Sequence, residues 1–133
     1  MTKRTDTKAC GAVLLVDADP KEIMQLHQNM PKWLWVKAPN GWPFEKEAEP
    51  MAQSFQAIIV FAGQGKEKRA LDVCKHIREQ QIMDGVLLLI AANRYQMALV
   101  NKVKKLSRGN FIFTPIEEST LLNRIKESQD KEL

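Results

Sequence analysis

The sequence predicts an α/β domain in which one parallel, five-stranded sheet is covered by helices on both faces, a three-layer αβα arrangement. Two observations carry this. Short apolar runs such as "VLLV", "AIIVF" and "LLLIAA" are continuous, as in strands buried on both sides. Between them lie stretches whose apolar residues recur every three or four positions, as on amphipathic helices.

The elements follow in chain order. After a polar leader over 1–10, expected to be flexible, "GAVLLVDADP" (11–20) reads as a strand ending in acids. Asp19 is placed as N-cap of the next helix, with Pro20 at its first position and Glu22 in its first turn. Ile23, Leu26 and Met30 share a face, and Pro31 ends the helix. "KWLWVKA" (32–38) is aromatic and β-branched, hence a strand. Alternation puts Trp33 and Trp35 on one side of it, to be covered by residues 42–54 or left exposed as a docking patch. Pro43 and Pro50 make 42–54 irregular, with at most one short helical piece. "QAIIVFAGQG" (56–65) is a strand and a glycine-containing loop. Residues 66–81 form a helix with Ala70, Val73, Cys74 and Ile77 inward. A strand over 85–92 leads to a helix over 94–109, with Met97, Val100 and Val103 inward and Gly109 as C-cap. The strand 110–115 and a helix from 116, with Leu121, Leu122 and Ile125 inward, complete the domain at 128, leaving 129–133 as a tail.

Composition narrows the function classes. The chain has 133 residues, the size of one domain, with 44% hydrophobic and 27% charged residues. Its longest apolar run, "GVLLLIAA", is far short of the roughly 20 residues that cross a bilayer, and no apolar stretch of signal-peptide length follows the N-terminus. The expectation is a cytoplasmic protein with Cys10 and Cys74 reduced. The net charge of +4 is mild; its densest cluster, "NKVKKLSRG" (101–109), reads as a solvated helix face, and no nucleic-acid or membrane partner is expected. The cysteines and histidines lack metal-ligand spacing, no serine has a histidine near it in sequence, and His27 and His76 are expected at the surface. "AGQG" (62–65) has neither the phosphate-loop lysine nor the dinucleotide-binding glycine spacing.

In parallel sheets chemistry sits at the carboxyl ends of the strands. Those ends here are Asp17-Ala18-Asp19, Pro39-Asn40-Gly41, Phe61-Ala62-Gly63, Ala91-Ala92-Asn93 and Thr114-Pro115. With "VLLVDADPKEI", "APNG", "FQAIIVFAG…LDVCKHIRE", "LLLIAAN" and "NFIFTPIEESTLLNRI" in this order, residues 11–127 resemble the receiver domain of bacterial response regulators. The resemblance implies the CheY-like, flavodoxin-like doubly wound fold, with a cis-proline turn before the last helix.

It also implies where the family's phosphoryl chemistry would lie. The acid pair that holds Mg²⁺ falls on Asp17 and Ala18, with Asp19 next door. The phosphoryl acceptor falls on Phe61, the hydroxyl position on Ala91, the lysine on Thr114, and the aromatic that reports activation on Phe111. Four of the five chemical positions are therefore altered. A benzyl side chain has no oxygen to phosphorylate, so the resemblance leads to a pseudo-receiver, with Phe61 as an apolar plug where relatives keep a carboxylate. Glu67 and Asp72 are the nearest other acids and are expected to face solvent; Asp17 is expected to bond to backbone or a lysine.

The expected function is protein–protein interaction in signal transduction, without catalysis, cofactor or bound metal, although Asp17 and Asp19 could supply two oxygens to an ion. By resemblance the partner surface is the face carrying Phe111 and the cations Arg94, Lys102, Lys105 and Arg108, suited to an acidic protein partner and leaving room for a homodimer. The alternatives are a small-molecule or nucleotide site built from Asp17, Asp19 and the 62–65 loop, and a phosphorelay through an atypical side chain.

Overall fold

The computed structural model describes residues 11–45, 55–63, 65–83, 85–104 and 110–130. Its strands are β1 (Gly11–Val16), β2 (Trp33–Lys37), β3 (Ala57–Phe61), β4 (Leu87–Ala92) and β5 (Asn110–Phe113). Its helices are α1 (Pro20–Asn29), α2 (Glu67–Glu79), α3 (Met97–Lys104) and α4 (Glu118–Asp130). The sheet order is β2-β1-β3-β4-β5, every pairing parallel, as expected for the flavodoxin-like doubly wound arrangement. The order reverses once, between β1 and β3, which is where such a sheet opens a crevice at its carboxyl edge.

Side-chain alternation splits the core into two layers. Leu14, Val16, Ile58, Val60, Leu88 and Ile90 face α2 and α3, where Ala70, Val73, Cys74, Ile77, Leu99, Val100 and Val103 meet them. Val13, Leu15, Ala57, Ile59, Phe61, Leu87, Leu89 and Ile112 face α1 and α4, which contribute Leu26, Leu121 and Ile125. The central strands β3 and β4 are buried throughout, which explains their unbroken apolar runs.

Asp19 caps α1 as predicted. Its carboxylate accepts from the Glu22 N–H at 2.8 Å, and the Glu22 carboxylate accepts from the Asp19 N–H at 2.9 Å. Asp19→Ala should lower stability by about 1 kcal/mol, seen as an earlier urea midpoint with an unchanged slope. An unchanged midpoint would show that the cap contributes nothing.

Several expectations are corrected. Trp33 and Trp35 are not an exposed docking patch, and residues 46–54, most of the segment offered as their cover, lie outside the described residues. The two tryptophans are 3% and 5% exposed and belong to the α1/α4 layer, with ring centroids 5.9 Å apart. Their indole N–H groups donate to Glu118 Oε2 at 3.0 Å and to the Met30 carbonyl at 3.1 Å. Trp42, by contrast, packs in the α2/α3 layer. The helix expected over 94–109 begins at Met97; Met97 is exposed and Leu99 takes the inward place, because residues 93–96 form a turn that resets the helical phase. Leu122 is exposed as well, since the stripe that meets the sheet is narrow and is filled by Leu121 and Ile125. The leader 1–10, Cys10, most of 42–54, Gly109 and residues 131–133 lie outside the described residues; α4 continues to Asp130.

Candidate functional site

Phe61 closes β3 at the middle of the sheet's carboxyl edge, in register with Ala91 at the end of β4. It is 4% exposed and shares its apolar cluster with Ala18, Ala91, Leu26 and Ile116. Three of the positions singled out by sequence are thus gathered in one buried apolar cluster. Thr114, joined to Pro115 by a cis peptide bond, lines with Phe61 a groove of about 390 Å³ between α1 and the start of α4. Polar groups at that groove are Glu22, Gln25, Asn29 and Thr114. Burial raises the Glu22 carboxyl above the ordinary carboxylate range, against the pull of the Asp19 N–H.

Asp17 does not join this cluster. Its backbone has φ 61°, a left-handed conformation that aspartate tolerates better than most residues. Among the described residues its partner is neither a lysine nor backbone but Arg69, in the first turn of α2: Arg69 Nε lies 2.7 Å from Asp17 Oδ2. The hydrogen bond that Arg69 donates to the Asp17 carboxylate raises the Arg69 pKa further, so the guanidinium is permanently charged there. The pair sits in a depression of about 320 Å³ that also includes Asp19, Lys37, Asn40, Gly41 and Lys66.

A divalent ion held by carboxylates would need oxygens that these residues do not offer together. Ala18 and Phe61 have none, Asp17 is engaged by a guanidinium, and Asp19 holds the α1 cap. Among the described residues no three of His, Cys, Asp and Glu come together in a ligand-like group. The donor set therefore does not fit Mg²⁺, which wants octahedral oxygen coordination.

A second construction at this edge was not anticipated. The Gln96 side chain accepts from the Asn93 N–H at 2.9 Å and donates to the Ala62 carbonyl at 2.9 Å and to Glu67 Oε2 at 2.8 Å. It ties together the end of β3, the first turn of α2 and the turn after β4. Glu67 consequently does not simply face solvent; the bond from Gln96 lowers its carboxyl below the ordinary range. Asp72 is exposed, 3.9 Å from Lys68. His27 is exposed as expected, but His76 is half-buried against Phe44, with ring centroids 4.7 Å apart.

The expected partner surface is assembled around the edge strand β5. Phe111 and Phe113 are half-buried and meet edge to face at 5.2 Å. Arg94 lies 5.0 Å over Phe113, and Lys104 5.5 Å over Phe111. Arg124 of α4, not foreseen from sequence, lies 5.3 Å over Phe111 and donates from Nε to its carbonyl at 3.1 Å. Lys102 is exposed on α3, while Lys105 and Arg108 lie outside the described residues.

No protein-family model and no curated protein matches the chain. Solved structures do. Full-length FixJ from B. japonicum superposes with TM-score 0.63 at 15% identity over 93% of this chain and 60% of its own. The Francisella response regulator 1452 receiver domain gives 0.60 at 14% identity, over 92% of this chain and 99% of its own. The chain has the receiver fold. An adenylate cyclase from Rhodopirellula baltica also superposes, with TM-score 0.57 at 16% identity over 89% of this chain and 86% of that one. The chain spans less than two thirds of the FixJ length, and at these identities the likeness concerns the receiver fold alone.

Proposed function

We propose that this chain is a receiver-fold module of signal transduction that acts by protein–protein interaction and takes no phosphoryl group at the carboxyl edge of its sheet. One observation carries the reading: the end of β3 holds Phe61, buried at 4% exposure in an apolar cluster. A ring there supplies no nucleophile and excludes the water and ions that phosphoryl chemistry needs.

The charge arrangement supports the same reading. An acid cluster without its metal repels itself, and here the remaining acid is neutralised from within. Arg69 stands beside Asp17 as a fixed positive charge, and Asp19 is used structurally. Gln96 ties the loops that border the edge, which favours one conformation over two. With chemistry removed, what the fold offers a signalling pathway is surface, and the β5 face with its rings and cations is the surface best developed for it.

The test is treatment with acetyl phosphate and with beryllofluoride, each with Mg²⁺. The expected result is an unchanged intact mass and unchanged amide NMR shifts for the residues after β1, β3 and β4. An acid-labile mass increase of one phosphate, or saturable shifts at those loops, would overturn the proposal.

A further inference from the structure

We propose that the depression beside Asp17 binds a small organic dicarboxylate, one carboxylate gripped by Arg69 and the other by Lys37 on the opposite wall. This goes beyond the interaction reading above and does not rest on it. The depression, about 320 Å³, is at the small end of ligand pockets. Phe61, Ala91 and Thr114 do not border it, so it is separate from the groove at the end of β3. Its cations are Lys37, Lys66 and Arg69. β1 runs between β2, which ends in Lys37, and β3, which leads into Lys66 and Arg69. With strands roughly 4.8 Å apart, the two cationic walls stand about 10 Å apart across the end of β1. A short linear molecule with an acid at each end fits such a pair of walls, and the flexible lysine stem takes up the difference in length.

Arg69 is already aimed. Its Nε and Nη2 point at the Asp17 carboxylate, at 2.7 and 3.5 Å, which leaves the Nη1 side of the guanidinium without a hydrogen bond among the described residues. A guanidinium fixed along one edge keeps its other edge for a two-pronged bond to a planar carboxylate, and little rotamer freedom remains to be lost on binding. Asp17 is thus a positioning residue for the site. Lys37 and Lys66 form no ion pair among the described residues, and Lys66 acts on Glu22 only from a longer distance. Asn40, exposed at the rim, adds amide donors. The buried residues Val16, Ala38 and Trp42 give an apolar lining for the methylene groups of the ligand. Other ligands fit less well. A phosphate ester brings close to two charges to one centre, beside Asp17, Asp19 and the Glu45 carboxylate that lies against Gly41. A nucleotide base needs an open ring face, and Trp42 is 5% exposed. A divalent cation would meet a guanidinium and two lysines.

The experiment is an amide NMR titration of the full chain with succinate and with glutarate at constant ionic strength. Saturable shifts are expected at Asp17, Lys37, Asn40, Lys66 and Arg69, at concentrations at least about tenfold below those at which butyrate, sulfate or glycerol phosphate act. Arg69 and Lys37 are exposed, so their variants keep the fold, which unchanged shifts of the core amides verify. Arg69→Gln should weaken dicarboxylate binding at least about tenfold. Lys37→Gln should reduce succinate to the level of butyrate, because only one acid is then held. Asp17→Gly decides whether aim or charge governs the site, since glycine accepts the φ of 61° at that position. It removes a negative charge, which alone would tighten anion binding; loss of the aim of Arg69 should instead weaken it about threefold. Absence of saturable shifts, an equal response to sulfate, stronger binding of glycerol phosphate, unchanged affinity in Arg69→Gln, or tighter binding by Asp17→Gly would overturn the proposal.

Discussion

Phe61→Ala should lower the stability of the domain by about 3–5 kcal/mol, the range for truncating a buried aromatic side chain. The ring ends a central strand flanked by β1 and β4. It packs with Ala18 and Ala91, whose short side chains cannot swing in to fill the gap. The cavity would therefore persist, and the full cost would appear as a shifted urea midpoint at an unchanged slope. Phe61→Leu, which keeps most of the volume, should cost about 1–1.5 kcal/mol. Phe61→Asp, which restores the side chain found in phosphorylatable relatives, should cost more than alanine at neutral pH, because it places a charge in an apolar layer. Lowering the pH to protonate that aspartate should recover part of the loss. If Phe61→Ala costs under about 1 kcal/mol, the ring is not the plug that the proposed function requires.

Cys74 should resist thiol reagents until the domain opens. Its side chain is 4% exposed in the α2/α3 layer, and burial pushes the thiol pKa up to about 12 from an ordinary 9.0. The reactive thiolate is then about a thousandfold scarcer at pH 8, before access is considered. Modification of the Cys74 peptide, followed by mass spectrometry, should be at least about a hundredfold slower in buffer than in denaturing urea, and should keep pace with unfolding. The same shift sets a sign for alkaline stability. The folded state keeps this proton above pH 9, where the unfolded chain releases it. The thiol's contribution is complete below pH 9 and is lost as pH rises towards 12. Cys74→Val should flatten that part of the pH profile. Rapid labelling in buffer, or an unaltered alkaline profile in the variant, would contradict the burial.

Local signals carried much of the fold. Apolar runs marked β1, β3 and β4 because a strand covered on both faces has no polar side to show. The Asp19-Pro20-x-Glu22 pattern marked the start of α1 because capping bonds span only three residues. Placement of Ala18, Phe61, Ala91 and Thr114 at one edge followed from strand order. The misses are long-range or depend on helical phase. Asp17 and Arg69 are far apart in sequence, and nothing near either residue announces the pair. Gln96 reads as an ordinary helix-start residue, yet it bridges to Ala62 and Glu67. Nothing in the local sequence sets Arg124 apart from the other cations of an amphipathic helix; tertiary packing places it over Phe111. Met97 and Leu122 were misplaced because a one-residue shift rotates a helix by about 100°. The cover over Trp33 and Trp35 comes from α1 and α4, which only the tertiary fold brings to that face.

The guanidinium on Asp17 has a consequence beyond the edge of the sheet. A positive charge borne by the polypeptide travels with every copy, and its supply does not vary with the cell's magnesium or phosphodonor pools. On the proposed function, such a module reports no chemical history. What a pathway could vary is the number of molecules made and destroyed, so the quantity being transmitted would be dose.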